Sequence, residues 1–177
     1  SGNRIDCVGG TQSGEVYGGA GLYIAYCTMA GQPPAEVSNC TIVDNVLTFD
    51  SPLSGRSGGA GVRFYGPGNA RLTNCIIANN RMTGGNLTTN GGAGICFSRG
   101  ESTTLVPEIT NCIIAGNSTD SEGGGVFMWG LTTALAGQAR ISNSILSGNT
   151  AASGGGALSA TYNSIADLVN CTINDNT

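Results

Sequence analysis

The chain has 177 residues, of which 40% are hydrophobic and 10% are charged, with seven basic residues, no His and a net charge of −4. Nucleic acids and anionic membrane surfaces attract clustered basic side chains, so this composition argues against both as partners. No apolar run approaches the roughly 20 residues of a membrane-spanning helix, so no membrane insertion is expected. The hydrophobic content suffices for one continuous core, and we expect residues 1–177 to form a single domain.

A repeated pattern sets the period of the chain. It reads aliphatic-x-Asn-Cys-x-aliphatic-x-x-Asn, and one copy has Ser144 in place of the cysteine. The first Asn of the copies is Asn39, Asn74, Asn111, Asn143 and Asn170, and the second is Asn45, Asn80, Asn117, Asn149 and Asn176. Successive second Asn residues are 35, 37, 32 and 27 residues apart. Periods of this length indicate a repeat architecture.

A glycine-rich block precedes each copy and begins a predicted strand whose side chains alternate between two faces. The blocks begin at Gly18, Gly58, Gly91, Gly123 and Gly154. The alternation places these residues inward: Ala20, Leu22, Ile24, Ala60, Val62, Phe64, Ala93, Ile95, Phe97, Gly125, Phe127, Trp129, Gly156, Leu158 and Ala160. It places a mixed row outward, as expected of a half-buried strand: Tyr23, Arg63, Cys96, Met128 and Ser159.

Each period holds three predicted strands: the glycine-block strand, one that ends before the first Asn and one that follows it. Strands this short bury a face only by stacking on the same strands of the next coil, and constant winding makes stacked strands parallel. The prediction is an all-β fold, a right-handed parallel β-helix solenoid of about five three-sided coils. At about 4.8 Å per coil the rod is roughly 24 Å long.

Both Asn positions are predicted to form structural ladders at corners of the coil. Asn tolerates the left-handed backbone of a sharp corner, and its amide can bond the same amide in neighbouring coils. Sequons occur at Asn39, Asn86, Asn117 and Asn170. Because the other three fall on ladder positions that should be buried, Asn86 is the predicted glycan acceptor.

The cysteines fall into two groups. One group occupies a single repeated position and is predicted to form a buried stack: Cys40, Cys75, Cys112 and Cys171. Sulfurs in a line do not match the tetrahedral geometry of a zinc site, so no metal is predicted. Of the remaining Cys7, Cys27 and Cys96, the pair Cys7 and Cys27 is the predicted disulfide, which would imply an oxidising compartment.

The sequence resembles secreted repeat proteins related to bacterial polymorphic outer-membrane proteins, within the right-handed β-helix superfamily that includes pectate lyases. The glycine blocks are similar to the G-G-A-[I/L/V] motif of those proteins. The I-x-x-N endings at 42–45 and 114–117 are similar to their F-x-x-N motif, with Ile in place of Phe. The resemblance spans nearly the whole chain and implies a β-helix that is secreted or displayed at the cell surface. Enzymes, adhesins and passive stalks share this fold.

Polysaccharide lyases and hydrolases of this fold use clustered carboxylates, often with Ca²⁺. Asp44 and Asp175 share a phase but lie in the first and last copies of the repeat. The other acids, namely Glu101, Glu108, Asp120 and Glu122, are expected to lack an aligned acidic partner in the neighbouring coils. With no His or Lys as a general base, no catalytic residue and no cofactor are predicted.

Neither end contains an amphipathic helix that would cap the solenoid. Two interpretations follow: further β-helix coils flank this chain, or copies of it stack head to tail into a filament. Because the chain starts without Met or an apolar leader, any secretion signal is expected to have been removed or to lie outside it.

The leading hypothesis is a non-catalytic extracellular structural β-helix, a subunit or segment of a surface fibre or adhesin that assembles by end-to-end coil stacking. The hypothesis also includes a carbohydrate or a host surface as a binding partner of this protein. The alternative is a carbohydrate-active β-helix, either a polysaccharide lyase or hydrolase or its sugar-binding remnant. Its site would be a groove near Tyr17, Tyr23, Tyr26 and Arg63.

Overall fold

The computed structural model describes residues 2–7, 18–25, 35–49, 58–66, 70–84, 91–98, 106–129, 137–162 and 164–177. Within these ranges the chain forms twenty β-strands and no helix. Each coil runs through four sheets, A, B, C and D, in the same order, and each strand pairs in parallel with its equivalent in the next coil. The predicted parallel β-helix is therefore confirmed.

The sheets have five described strands each. Sheet A contains β1 (Arg4–Cys7), β5 (Val46–Phe49), β9 (Arg81–Thr83), β13 (Ser118–Glu122) and β17 (Thr150–Ser153). Sheet B contains β2 (Leu22–Ala25), β6 (Val62–Tyr65), β10 (Ile95–Ser98), β14 (Val126–Trp129) and β18 (Leu158–Thr161). Sheet C contains β3 (Ala35–Ser38), β7 (Ala70–Thr73), β11 (Glu108–Thr110), β15 (Gly137–Ser142) and β19 (Ser164–Val169). Sheet D contains β4 (Thr41–Val43), β8 (Ile76–Ala78), β12 (Ile113–Ala115), β16 (Ile145–Ser147) and β20 (Thr172–Asn174).

Sheet A is the additional sheet, because the sequence predicted three strands per coil and the structure has four. Its strands follow the second Asn of each repeat. They were missed because their composition changes from coil to coil: β5 alternates apolar residues, whereas the buried positions of β13 are Thr119 and Ser121. Apolar alternation does not mark a strand whose inward side chains are hydroxyls.

The register keeps equivalent residues in line along the solenoid. In sheet C, Ile109 pairs with Leu72 on one side and Ile141 on the other. In sheet D, Ile114 pairs with Ile77 and Leu146. These side chains belong to one continuous core, together with Val62, Ile95, Val126, Phe64, Phe97 and Met128. Full burial of each such side chain contributes about 1.5–3 kcal/mol.

The glycine blocks turn the chain from sheet A into sheet B where neighbouring coils approach closely. Gly59 has a φ of +71°, in the left-handed region that favours glycine. A Cβ at Gly58 would collide with the carbonyl of Gly91 in the next coil. The first two glycines of this block are therefore required by the backbone conformation and by contact between coils.

The predicted phase of the fourth glycine block is wrong by one residue. Gly91 pairs with Glu122, and Ile95 pairs with Val126, so Glu122 occupies the place of the first glycine. A shift of one residue exchanges the two faces of a strand. Met128 therefore points inward beside Phe97, whereas Phe127 and Trp129 lie on the outer side of sheet B with Cys96.

The outer row of sheet B is buried in its central strands. Arg63 and Phe127 have no exposed surface, and Cys96 is 1% exposed. The prediction of a half-buried strand is therefore wrong for β6, β10 and β14, whose residues are all buried. Large apolar groups at Phe127 and Trp129 form a second packed layer on this face with Cys96.

Two adjacent isoleucines test the assigned faces of sheet D. Ile114 is fully buried, whereas Ile113 is 41% exposed on the outer side. Ile114→Ala should lower the free energy of unfolding by about 2–4 kcal/mol, because it leaves a cavity in the core. Ile113→Ala should lower it by less than about 1 kcal/mol. Urea denaturation followed by circular dichroism measures both, and equal losses would contradict the assignment.

Candidate functional site

The second Asn of each repeat forms a buried ladder where sheet D turns into sheet A. The side-chain Nδ2 of each Asn donates to Oδ1 of the next coil at 2.8–2.9 Å: Asn45 to Asn80, Asn80 to Asn117, Asn117 to Asn149 and Asn149 to Asn176. The same Oδ1 atoms accept from the backbone N–H groups one coil below, at 3.0–3.1 Å. The predicted ladder is present, and it satisfies backbone and side chain together.

The left-handed backbone at this corner belongs to the residue before the ladder Asn. These residues have φ between +55° and +63°: Asp44, Asn79, Gly116, Gly148 and Asp175. The prediction that the second Asn itself adopts this conformation is wrong. Asp, Asn and Gly are the types that tolerate a positive φ, so Asp44 and Asp175 have a conformational explanation.

The first Asn of each repeat forms a different ladder, at the corner between sheets C and D. All five residues have a left-handed φ of +50° to +59°, as predicted. Here the amides face solvent, and the described bonds include Asn74 Nδ2 to Asn39 Oδ1 at 3.3 Å and Asn170 Nδ2 to Asn143 Oδ1 at 3.0 Å.

The exposed first-Asn corner contradicts part of the prediction about glycan acceptors. Asn39 and Asn170 are exposed, although they were expected to be buried. Of the described sequons only Asn117 is buried. Asn86, the predicted acceptor, lies outside the described residues. Two consecutive corners of one coil therefore use Asn in opposite environments, which the repeated pattern does not distinguish.

The buried ladder can be tested by Asn117→Asp. This change removes the Nδ2 donors to Ile77 O (3.0 Å) and Asn149 Oδ1 (2.9 Å) and places a carboxylate against both acceptors. We expect the free energy of unfolding to fall by at least about 3 kcal/mol at pH 7. The matched change Asn111→Asp, at the exposed corner, should cost less than about 1 kcal/mol. Chemical denaturation would contradict the ladder if the two costs were equal.

The cysteine stack lies beside the first Asn ladder. Cys75 and Cys112 are buried, and their thiols donate to carbonyls two residues earlier, those of Thr73 and Thr110, at 3.3 Å. Ser144 makes the same bond, to Ser142 O at 2.8 Å, which explains how serine replaces cysteine in that copy. The prediction of a buried stack is wrong at the first coil, where Cys40 is exposed, and Cys171 is half-buried.

The described residues contain no group of three or more His, Cys, Asp or Glu side chains that could hold a metal ion. The five cysteines whose side chains are described are free thiols. The predicted disulfide lies outside this description, because Cys27 and the side chain of Cys7 are not among the described groups.

Burial raises the pKa of the Cys112 thiol to about 11. A cysteine in an unfolded chain loses its proton near about pH 8.5. Between these values the unfolded state releases a proton that the folded state keeps, so this group lowers stability as pH rises. Cys112→Ser should remove that part of the alkaline loss. Urea midpoints at pH 7–10.5 for both proteins measure the difference, and parallel pH profiles would contradict it.

Of the residues predicted to lie near a carbohydrate groove, Arg63 lies in the interior. Arg63 is fully buried, and its guanidinium donates to Ser98 Oγ at 2.6 Å and lies over the Tyr65 ring, 6.0 Å from its centre. Burial lowers the pKa of Arg63. Tyr23 is 46% exposed, whereas Tyr17 and Tyr26 lie outside the described residues. Arg63 therefore stabilises the outer layer of sheet B and cannot meet a ligand in solution in this conformation.

The outer face of sheet C carries a row of alternating charge that the sequence analysis missed. The row reads Glu36, Arg71, Glu108, Arg140 and Asp167 in successive coils. Arg71 Nε lies 3.0 Å from Glu108 Oε2, and Arg140 Nε lies 3.8 Å from Asp167 Oδ2. Glu108 is thus aligned with an arginine on both sides, and neither neighbour is the aligned acid that a catalytic pair would need. The repeat itself aligns these five residues, because each stands immediately before the aliphatic residue that lies two places before the first Asn.

Other described acids also have structural partners. Asp120 accepts a bond from the Gly84 N–H at 2.7 Å, and Glu122 accepts one from Ser159 Oγ at 2.8 Å. Glu122 therefore has a hydroxyl partner in the next coil, which is not the aligned acid that a catalytic pair would need. Glu101 lies outside the described residues. The exposed Asp44 and Asp175 lie four repeats apart along the ladder corner.

In the last coil of this sequence, residues of the core rows are exposed. Ile173 is 48% exposed and Leu168 is 41% exposed, although their equivalents Leu146 and Ile141 are fully buried. We call the exposed edge of β17, β18, β19 and β20 the open coil edge. At this edge Asn176 Nδ2 donates back to Leu146 O at 2.9 Å and to Asn174 O at 2.8 Å.

Comparison with known proteins agrees with this geometry. The family model for a right-handed β-helix region matches residues 3–177, and the chain belongs to that family. The handedness predicted from the repeat is thereby supported along nearly the whole chain. Comparisons with curated proteins and with solved structures found no match. Among the described residues no helix is long and apolar enough to cross a membrane.

Proposed function

We propose that the protein is a non-catalytic, extracellular structural β-helix that assembles when coils stack end to end, with a second copy of the chain as the partner. It would act as a subunit or segment of a surface fibre or adhesin. The extracellular location rests on the similarity of its glycine and Asn motifs to those of secreted repeat proteins.

The observation that carries the proposal is the open coil edge. Its strands are the edge strands of their sheets, and β19 and β20 carry exposed aliphatic side chains, a combination that favours pairing with another strand edge. On a stacked copy each inner row would continue with a similar residue: Ile42 beyond Ile173, Val37 beyond Leu168, and Leu22 beyond Leu158. Each contact buries apolar surface that now faces water.

One corner limits such stacking. The buried ladder has six members, from Asn3 to Asn176, whereas each sheet has five described strands. Thr177 already bonds with Asn149 O at 3.0 Å and with Ala151 N at 2.8 Å, in the position of a further coil. In a stacked copy, the corner formed by Asn3 would occupy the position that Asn176 and Thr177 hold here. Stacking therefore requires one of the two terminal corners to move aside.

The non-catalytic part of the proposal rests on the acids of the described residues. Glu108, Asp120 and Glu122 each have a salt bridge or hydrogen bond that explains their position. Asp44 and Asp175 occupy left-handed corners, where Asp is a favoured type. Glycoside hydrolysis uses a pair of carboxylates, and the positions of these acids are explained without such a role.

Two isoleucines of similar exposure provide the first test. Ile173→Asp places a charge on the open coil edge and should abolish assembly, whereas Ile113→Asp alters the outer face and should leave assembly unchanged. Sedimentation velocity gives the size distribution and circular dichroism confirms folding. Electron microscopy of the unchanged protein should show filaments with an axial repeat of roughly 24 Å.

A truncated chain ending at Asn174 provides the second test. Because it frees the place occupied by Asp175, Asn176 and Thr177, it should assemble at a lower concentration than the full chain. Discrete short rods for both chains at all concentrations would overturn the proposal. The open coil edge would then be assigned to flanking coils.

A further inference from the structure

The cysteine stack places the thiols of neighbouring interior coils in equivalent positions. The Cys75 and Cys112 thiols each lie 3.3 Å from the carbonyl oxygen two residues earlier. They lie 3.5 Å and 3.7 Å from a carbonyl oxygen of the preceding coil, that of Val37 and that of Leu72. Because both side chains make the same two contacts, one sulfur is displaced from the other by one coil. The spacing between neighbouring strands, about 4.7–4.9 Å, therefore sets the distance between the two sulfurs.

This distance suits a bridging ion better than a disulfide. A disulfide brings its two Cβ atoms to about 3.5–4.5 Å, which is closer than two stacked side chains that point in the same direction. Two collinear metal–sulfur bonds of about 2.3 Å, the length of a zinc–thiolate bond, span about 4.6 Å. Zinc itself requires four tetrahedral ligands, whereas the soft ions Cu(I) and Ag(I) accept two collinear thiolates. The straight line of sulfurs that excludes zinc is therefore the arrangement that a two-coordinate ion takes.

We infer that the stacked thiolates of Cys75 and Cys112 form a two-coordinate site for a soft monovalent cation such as Cu(I), held between two coils. Both residues are 1% exposed, so the surrounding core keeps water and competing ligands from the ion. Binding replaces the two thiol protons with one cation and releases both protons to solvent. The complex carries one negative charge, and the oxidation state of the metal does not change. The site lies between interior coils, so it does not depend on end-to-end assembly.

The surrounding backbone tolerates the loss of both thiol protons. The carbonyls of Thr73 and Thr110, which now accept from the thiols, each also accept a backbone N–H of the preceding coil, at 3.0 Å and 3.1 Å. Metal binding therefore leaves neither carbonyl without a donor. Burial raises the pKa of the Cys112 thiol, and hydrogen bonding from the Cys75 backbone acts in the opposite direction by stabilising the thiolate.

Metal loading during refolding tests the site. The protein is refolded from urea without oxygen, in the presence of Cu(I) bound to excess glutathione, then separated from free metal and analysed for copper. We expect about one copper ion per chain, with two sulfur neighbours and no other ligand in its X-ray absorption spectrum. Ag(I), which needs no reductant, should be retained in the same amount. Zn(II) should not be retained, and equal retention of Zn(II) would overturn the inference.

Two serine substitutions separate the stacked pair from the number of thiols. Cys75→Ser places a hydroxyl between Cys40 and Cys112, and it should lower the retained copper by roughly tenfold or more. Ser144 shows that serine fits this position of the repeat with the same hydrogen bond. Cys171→Ser is the matched control, because it removes one thiol from the same stack but leaves the pair intact. Equal copper losses in the two variants would overturn the inference, since thiol number alone would then explain retention.

A substitution in the opposite direction provides a gain of binding. Ser144→Cys fills the gap between Cys112 and Cys171, so a second ion should bind between the new thiol and Cys171. The retained copper should rise from about one to about two ions per chain. An unchanged copper content in this variant, or three or more sulfur neighbours around copper in the parent protein, would refute the two-coordinate site. Native circular dichroism of each variant excludes unfolding as the cause.

Discussion

Every coil of this solenoid depends on the next coil to satisfy polar groups that it buries. The ladder of Asn45, Asn80, Asn117 and Asn149 shows this most directly. The Oδ1 atoms of the last three each accept two bonds from the coil below, and each of the four Nδ2 atoms donates to the coil above. A buried amide without these partners would cost several kcal/mol. A single coil therefore has no stable corner of its own, and stability arises from contact between neighbours, as in other repeat proteins.

This constraint explains which residues repeat and which alternate. Neutral side chains can stack on copies of themselves, as the Ile and Asn rows do, because apolar groups pack and amides both donate and accept. Charged side chains cannot, and the row from Glu36 to Asp167 alternates in sign instead. Serine replaces cysteine at Ser144 of the repeat, because either side chain can donate to the carbonyl two residues earlier.

The same constraint applies to the first and last coils of this sequence. The last coil of this sequence has the donors, acceptors and apolar rows of an interior coil, and its Ile173 and Leu168 side chains are exposed. The fold itself hosts enzymes, adhesins and stalks, so the β-helix alone does not assign a function. Our proposal rests on the chemistry of the open coil edge, whereas the buried Arg63 and the paired acids offer little support for a sugar-cleaving groove.

The sequence by itself determined the solenoid, its period and the positions of both Asn ladders, because Asn and Gly at a fixed spacing have a local backbone meaning that does not depend on distant contacts. Only the tertiary structure decided that Asn45 is buried and Asn39 exposed, since the closing of four sheets sets which corner faces inward. It also decided the phase of Phe127, because Glu122 takes the place of a glycine in the fourth block. Those relations depend on register between strands more than thirty residues apart, which loops of unequal length conceal in the sequence.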